Sequence, residues 1–160
     1  MVTKTMLSAA ELTRILDVVV DPDIPVMTIA EIGILRDVSV TENGAVTVGI
    51  TPTYSGCPAL AVMEEDIVAA LAGAGVEDVT VEVRHTPVWT TEWLTDEAKR
   101  KLVGFGIAPP DSVLAVVPEV LCPQCSSSGT AKISEFGSTA CKSLWVCTTC
   151  LEPFDYFKAI

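Results

Sequence analysis

A single cysteine stands where a predicted strand gives way to a predicted helix, in the segment Thr51–Pro58. Pro58 suits the first position of a helix because its ring fixes φ and its missing N–H would lack a partner there anyway. Cys57 is then predicted at or beside the helix N-cap, where the helix dipole and free amides favour the thiolate. Cys57 is therefore a candidate nucleophile or metal ligand; the alternative is a small buried side chain that fills a turn.

Four further cysteines form two C-x-x-C pairs, Cys122 with Cys125 and Cys147 with Cys150, separated by residues 126–146. Each pair places two thiolates on one tight turn, and two facing turns supply the four soft ligands of a tetrahedral structural zinc site. An iron–sulfur cluster or a rubredoxin-like iron uses similar ligands, so the spacing leaves these alternatives open. Zinc is favoured because the intervening length suits a ribbon and because a segment of about forty residues needs such a staple to fold.

The remaining titratable candidates carry weaker signals. Cys141 precedes Lys142, whose charge would lower the pKa of the thiol; Cys141 is either a reactive thiol or an apolar filler of a strand. Asp21 and Asp23 flank a proline, where aspartate commonly forms turns. His85, the only histidine, receives no role.

Local patterns predict the elements that position these residues. Ser8 and Glu11 form a predicted capping box at the start of a helix over about residues 9–19, and the prolines of Asp21–Pro25 stop that helix. The Asn43-Gly44 pair lies between two alternating apolar runs and predicts a β-hairpin. The predicted hairpin strands, the next helix and the last strand of this part cover Leu35–Val40, Ala45–Ile50, residues 58–71 and residues 76–84. The arrangement is an α+β fold, a small sheet covered by helices.

The second part of the chain begins with a proline-bounded loop that carries Trp89 and Trp93, which either cover the sheet or anchor a partner. A short helix is predicted from Thr95 to about Gly104. The prolines of residues 109–112 predict a connector. We therefore expect an α+β domain over residues 1–112 and a C-terminal four-cysteine zinc ribbon over residues 113–160.

Composition excludes several classes of function. The 160 residues include 21 acidic and 10 basic side chains, a formal net charge of −11, and no basic cluster. Binding to nucleic acid or to an anionic membrane needs a basic patch, so neither is expected. Residues 1–6 lack the apolar core of a secretory signal, and no apolar run reaches membrane-spanning length. We expect a soluble cytoplasmic protein whose cysteines bind metal or do chemistry rather than form disulfides.

Several motifs, in order along nearly the whole chain, resemble the PaaD family, an accessory component of the bacterial phenylacetyl-CoA epoxidase (ring-oxygenase) system. The matching segments are Asp21–Pro25, Thr51–Pro58, Thr86–Trp93, Gly104–Pro110, Glu135–Lys142 and the two cysteine pairs. The first domain is similar to the small domain of SufT-type factors, which help to insert iron–sulfur clusters into client proteins. The resemblance implies that Asp21, Asp23 and Cys57 are the functional positions, with Asp23 where the family usually has glutamate.

The resemblance also implies a role in phenylacetate degradation, a form of aromatic compound degradation. The chain would assist cluster assembly or maturation of the multicomponent enzyme through a transient iron or cluster ligand, with the oxygenase and the iron–sulfur reductase as partners and self-association left open. The alternatives are a non-catalytic interaction subunit and, less favoured, a thiol redox protein that pairs Cys57 with Cys141. A stand-alone oxygenase is not expected, because the sequence has one histidine, no Glu-x-x-His set and no glycine-rich phosphate loop.

Overall fold

The computed structural model describes residues 7–111 and 119–159 and divides the chain into two compact units, Met1–Val88 and Trp89–Ile160. This division groups the tryptophan segment and the helix after it with the ribbon. The domain boundary expected at residue 112 stays a prediction. No helix within the described ranges is both long enough and apolar enough to cross a bilayer.

The first unit has the mixed helix and sheet architecture that the sequence predicts. Its elements are α1 (Ala9–Ile15), β1 (Val20–Asp21), β2 (Ile24–Thr28), β3 (Leu35–Val40), β4 (Val46–Ile50), α2 (Ala59–Gly73) and β5 (Val79–Val83). Strands β3, β4 and β5 form one sheet in that order, and β1 pairs with β2 in a separate hairpin. Because β3–β4 is antiparallel and β4–β5 is parallel, α2 is the crossover connection between β4 and β5.

Helix α1 is shorter than predicted. Its capping box is present: Glu11 N–H donates to Ser8 Oγ at 3.3 Å, and Ser8 N–H donates to Glu11 Oε2 at 2.8 Å. The α-helix ends at Ile15 and a 3₁₀ turn continues it over Leu16–Val18, so helical backbone stops one residue before the predicted end and its last turn is 3₁₀ rather than α-helical. The β-branched run from Val18 to Val20 favours extended backbone over helix, and it leads directly into β1.

The Asn43-Gly44 hairpin and the helix after Cys57 are confirmed. Gly44 has a positive φ of 83° in the turn between β3 and β4, which glycine adopts without strain. Helix α2 buries a stripe of side chains at helical spacing, Ala59, Met63, Ile67 and Leu71. Strand β5 alternates as predicted, with its valines half-buried and Thr80 and Glu82 exposed. The core of this unit lies between the helices and the sheet.

The second unit contains a four-stranded sheet. Its elements are a 3₁₀ turn (Thr91–Trp93), α3 (Asp96–Gly104), β6 (Ile107–Ala108), β7 (Thr130–Ser134), β8 (Lys142–Cys147) and β9 (Pro153–Phe157). The strand order is β6-β9-β8-β7, and β6 was not predicted because two residues carry too little pattern. Helix α3 begins as predicted, with Ala98 N–H donating to Thr95 Oγ1 at 3.0 Å. The predicted connector reaches Ser112, which lies outside the described residues.

Trp89 belongs to the core of the second unit, where it is 1% exposed. Its ring centroid lies 5.8 Å from that of Phe157. Trp93 is half-buried. Of the two roles considered for this loop, core packing therefore describes Trp89, and the ring that it contacts, Phe157, belongs to the ribbon.

Candidate functional site

The turn before α2 holds Cys57 at the start of the helix. Pro58 is the N-cap, so Cys57 lies one residue before it, within the predicted range of positions. Gly56 takes a positive φ of 86°, a conformation that lets the chain reverse between β4 and α2. Cys57 C=O accepts the N–H of Leu60 at 3.2 Å, and the thiol is half-buried.

Asp21 and Asp23 occupy the tight turn of the β1–β2 hairpin. Asp21 is 7% exposed, and its Oδ1 accepts the N–H of Asp23 at 2.7 Å and the N–H of Ile24 at 3.2 Å. Turn-forming aspartate, the interpretation from residue type, is therefore correct for Asp21. Asp23 is exposed on the same turn.

The fold brings this turn to Cys57, because α2 packs against β1. Burial raises the pKa of the Cys57 thiol above its ordinary value, and the charges of Asp21 and Asp23 raise it further. Hydrogen bonds from Ala59 N–H and the Tyr54 hydroxyl act in the opposite direction but do not offset this. The expectation that the helix terminus would favour the Cys57 thiolate was thus wrong for the net pKa shift: desolvation and two nearby carboxylates disfavour the charged form.

Tyr54 is a member of this site that sequence reasoning did not single out. Its hydroxyl hydrogen-bonds to the Cys57 sulfur, and its ring is half-buried. The available signal was its position within the Thr51–Pro58 turn, three residues before the cysteine. A phenol hydroxyl that donates a hydrogen bond to sulfur stabilises the thiolate once it forms, for example when a metal ion binds.

The two cysteine pairs of the ribbon meet as predicted. All four Sγ atoms lie within 4.8 Å of one another, with 3.7 Å between Cys122 and Cys150 and 3.6 Å between Cys125 and Cys147. A tetrahedral Zn²⁺ with Zn–S bonds of about 2.3 Å requires sulfur separations of about 3.8 Å. The four thiols therefore fit a structural zinc ion, which they would hold with no coordination position left open.

The two knuckles repeat the same backbone geometry. In each, the residue after the second cysteine has a positive φ, 59° at Ser126 and 66° at Leu151, and donates its N–H to the carbonyl of the first cysteine, Cys122 or Cys147. Hydrogen bonds from Cys150 N–H and Thr149 N–H lower the pKa of the Cys147 thiol to about 6. Amides aimed at sulfur in this way stabilise a metal-bound thiolate.

Cys141 is buried in the second unit, 9% exposed, with its Sγ 3.0 Å from Thr139 Oγ1. Lys142, the neighbour expected to activate it, is itself 3% exposed and forms an ion pair with Asp155 at 3.8 Å. Ser138 donates to both oxygens of the same carboxylate. This packing favours the filler interpretation of Cys141, while its reactivity stays a prediction, as does its pairing with Cys57 of the other unit.

Two family models match this chain in separate segments. Residues 9–83 match the iron–sulfur cluster assembly protein model, and residues 107–158 match the PaaD zinc β-ribbon domain. The first segment contains the Asp21, Asp23 and Cys57 positions. The second contains all four knuckle cysteines.

Three curated relatives are similar in sequence. A protein of Escherichia coli (strain K12), named as a putative subunit of 1,2-phenylacetyl-CoA epoxidase, is 46% identical over 94% of this chain and 92% of its own length. Two proteins named as Fe-S protein maturation auxiliary factors, from Porphyromonas gingivalis and Bacillus subtilis (YitW), are each 33% identical. The first covers 59% of this chain and 90% of its own length, and the second covers 52% and 82%.

Solved structures share the fold of the first part of the chain. A domain of unknown function, DUF59, from Bacillus anthracis is 28% identical with a TM-score of 0.56, covering 59% of this chain and 90% of that structure. The Thermotoga maritima protein TM0487 is 24% identical with a TM-score of 0.53, covering 61% and 95%, and supports the fold alone. With 46% identity to the Escherichia coli protein over nearly the full length of both chains, and with an assembly domain followed by a zinc ribbon, this chain belongs to the PaaD family.

Proposed function

We propose that this chain assists iron–sulfur cluster assembly or maturation within the phenylacetyl-CoA epoxidase system. Cys57 is the transient ligand to iron or to a cluster, and Asp21 or Asp23 provides an oxygen ligand beside it. The observation that carries this proposal is the approach of two carboxylates from the β1–β2 turn to one thiol at the start of α2. The names of the relatives support the coarser assignment, a role in iron–sulfur assembly and in this enzyme system.

The chemistry of the site suits a cargo that is held and then passed on. The pKa of Cys57 is raised by burial and by the two carboxylates, so the thiol is protonated until a metal ion displaces the proton. The competition between proton and metal weakens binding at neutral pH. The resulting weak, reversible ligation is what a donor of iron or of a cluster requires.

Anaerobic reconstitution with ferrous iron and sulfide tests this role. The zinc-loaded wild type should develop sulfide-to-iron absorption bands and restore activity to an epoxidase component that lacks its cluster. Cys57→Ala should do neither. Cys141→Ala is the matched control and should behave as the wild type. Identical spectra and identical client activity for Cys57→Ala and the wild type would remove Cys57 from the proposal.

The second candidate function is that of a non-catalytic interaction subunit of the oxygenase assembly. The exposed apolar side chains of the ribbon favour it, since Ile133 is 56% exposed and Phe136 is 64% exposed. The partners are then the oxygenase and the iron–sulfur reductase subunits. Under this function, zinc loss abolishes co-purification with those subunits, while Cys57→Ala leaves epoxidation unchanged.

A further inference from the structure

The outer edge of β5 presents a row of backbone groups without hydrogen-bond partners in the described chain. Asp78 C=O accepts the N–H of Val46, and Arg84 N–H donates to Ile50 C=O, so even-numbered residues of this strand bond to β4. In a parallel pair, alternate residues direct both backbone groups to the same neighbour. The N–H and C=O groups of Val79, Val81 and Val83 therefore point away from β4, and no other strand within the described ranges pairs with β5.

The opposite edge of the same sheet is protected in the ways usual for edge strands. Strand β3 carries a register shift between Leu35 and Asp37, which disrupts pairing with a further strand. Arg36 and Asp37 are both exposed there. By contrast, the register of β5 against β4 is regular throughout, and β5 contains neither proline nor lysine. Of these two edges, only β5 thus leaves a regular row of backbone groups available for pairing with a further strand.

A shallow groove of about 490 Å³ runs beside this edge, between β5 and α2. Its apolar lining is Val68, Ala69 and Val81, and Val68 is 43% exposed. Glu64 and Glu65 provide its acidic lining. A strand added to β5 would place alternate side chains over this apolar surface and beside these carboxylates.

The geometry points to β-strand addition: the β5 edge and its groove bind an extended segment of a partner protein that carries both apolar residues and lysine or arginine at every second position, on the face that meets α2. The backbone groups of Val79, Val81 and Val83 provide the main-chain hydrogen bonds, and the groove selects the side chains. A second copy of this chain is disfavoured as the occupant, because two-fold pairing of β5 edges brings the glutamates of both copies together in a chain of net charge −11. This inference does not depend on Cys57.

Amide chemical shifts of the ¹⁵N-labelled, zinc-loaded full chain test the inference. The probe is a seven-residue amidated peptide with valine, lysine, valine and lysine at its odd positions and threonine between them, so that valine and lysine share one face, and in the comparison peptide glutamate replaces lysine. We expect saturable shifts confined to Val79–Val83 and the facing side of α2 with the basic peptide alone. Val81→Pro should weaken binding by at least about tenfold, because it removes an outward N–H and blocks the incoming strand while sparing the β4 ladder. Val81→Thr keeps that N–H and is the matched control.

Charge variants test the selectivity of the groove. Glu64→Gln with Glu65→Gln should weaken basic-peptide binding several-fold and flatten its salt dependence, because two carboxylates are lost. The double variant Glu42→Gln/Glu77→Gln removes two exposed acids outside the groove. It should leave basic-peptide binding and its salt dependence unchanged. The inference is overturned by shifts that map elsewhere, by no saturable shifts at millimolar peptide, or by equal binding of the acidic peptide. Concentration-dependent dimerisation that protects the β5 amides would assign the edge to a second copy instead.

Discussion

The carboxylate of Asp21 and the thiol of Cys57 interact electrostatically, although strands β2, β3 and β4 separate them in the chain. Asp21 is buried, and the N–H groups of Asp23 and Ile24 hold its carboxylate in place. Exposed Asp23 extends from the same turn and also acts on the thiol. One fixed and one solvent-facing carboxylate thus lie beside a single sulfur.

Removing the Asp23 charge should make Cys57 more reactive while it weakens metal loading. In Asp23→Asn the thiol pKa should fall because a nearby negative charge is removed, so alkylation by iodoacetamide should accelerate on the order of twofold at a pH below that pKa. The rate is read at the Cys57 peptide by mass spectrometry. Iron loading should decrease, because an oxygen ligand is lost. Glu42→Gln, which removes an exposed acid elsewhere, is the control. If Asp23→Asn raised both the alkylation rate of Cys57 and the amount of iron bound, Asp23 would be excluded as a ligand.

Iron loading at Cys57 should increase with pH. The folded thiol has a raised pKa, mainly because it is buried, so it is protonated below that pKa and must lose its proton to bind metal. The measurement is iron bound per chain at about pH 6.5 and pH 8.5, taken as the difference between the wild type and Cys57→Ala so that ribbon binding cancels. A difference independent of pH would show that this thiol does not ligate the iron.

Loss of zinc should unfold the ribbon. Cys147→Ala should abolish stoichiometric zinc and collapse the amide dispersion of β7, β8 and β9, since a site of four thiolates contributes folding free energy directly. The readouts are elemental analysis and an NMR spectrum, and the α2 and β4 signals report on the first unit separately. Cys141→Ala should retain the metal. A metal-free variant with an unchanged ribbon spectrum would contradict a structural role for zinc.

Gly137→Ala should destabilise the second unit. A Cβ at this position would collide with Asp155 Oδ1, and moving Asp155 would disturb its contacts with Ser138 and the buried Lys142. We expect a loss of about 1–3 kcal/mol in urea unfolding followed by ribbon signals, a typical cost of overpacking. Gly104→Ala in α3 meets no neighbour within 4 Å and should be neutral or stabilising. Equal stability of the two variants would refute this steric explanation.

Trp89→Ala should disrupt the second unit itself rather than only a partner contact. The ring is 1% exposed and packs against Phe157, and truncating a buried tryptophan costs about 3–5 kcal/mol. The thermal unfolding temperature should fall, and co-purification with the epoxidase subunits should decrease. Trp89→Phe, which keeps an aromatic ring, should recover much of both. A folded Trp89→Ala that fails to co-purify would instead identify a direct contact.

Much of the fold followed from local patterns. The capping box at Ser8, the Asn43-Gly44 hairpin and the stripe of Met63, Ile67 and Leu71 each depend on neighbours a few residues away, and all three are present. The extent of α1 was overestimated because its apolar spacing continues into β-branched residues that prefer strand. Strand β6 escaped prediction because only its pairing with β9 defines it.

The sequence by itself determined the four metal-binding cysteines, since two C-x-x-C turns at this separation specify soft tetrahedral ligands whatever surrounds them. It also placed Cys57 beside a helix start. Only the tertiary structure decided the direction in which the pKa of that thiol is shifted, because burial and the approach of Asp21 and Asp23 come from packing between distant segments and outweigh the local hydrogen bond from Ala59 N–H at the helix start. The open edge of β5 is likewise a property of the assembled sheet, in which the final strand order leaves one row of amides unpaired within the described part of the chain.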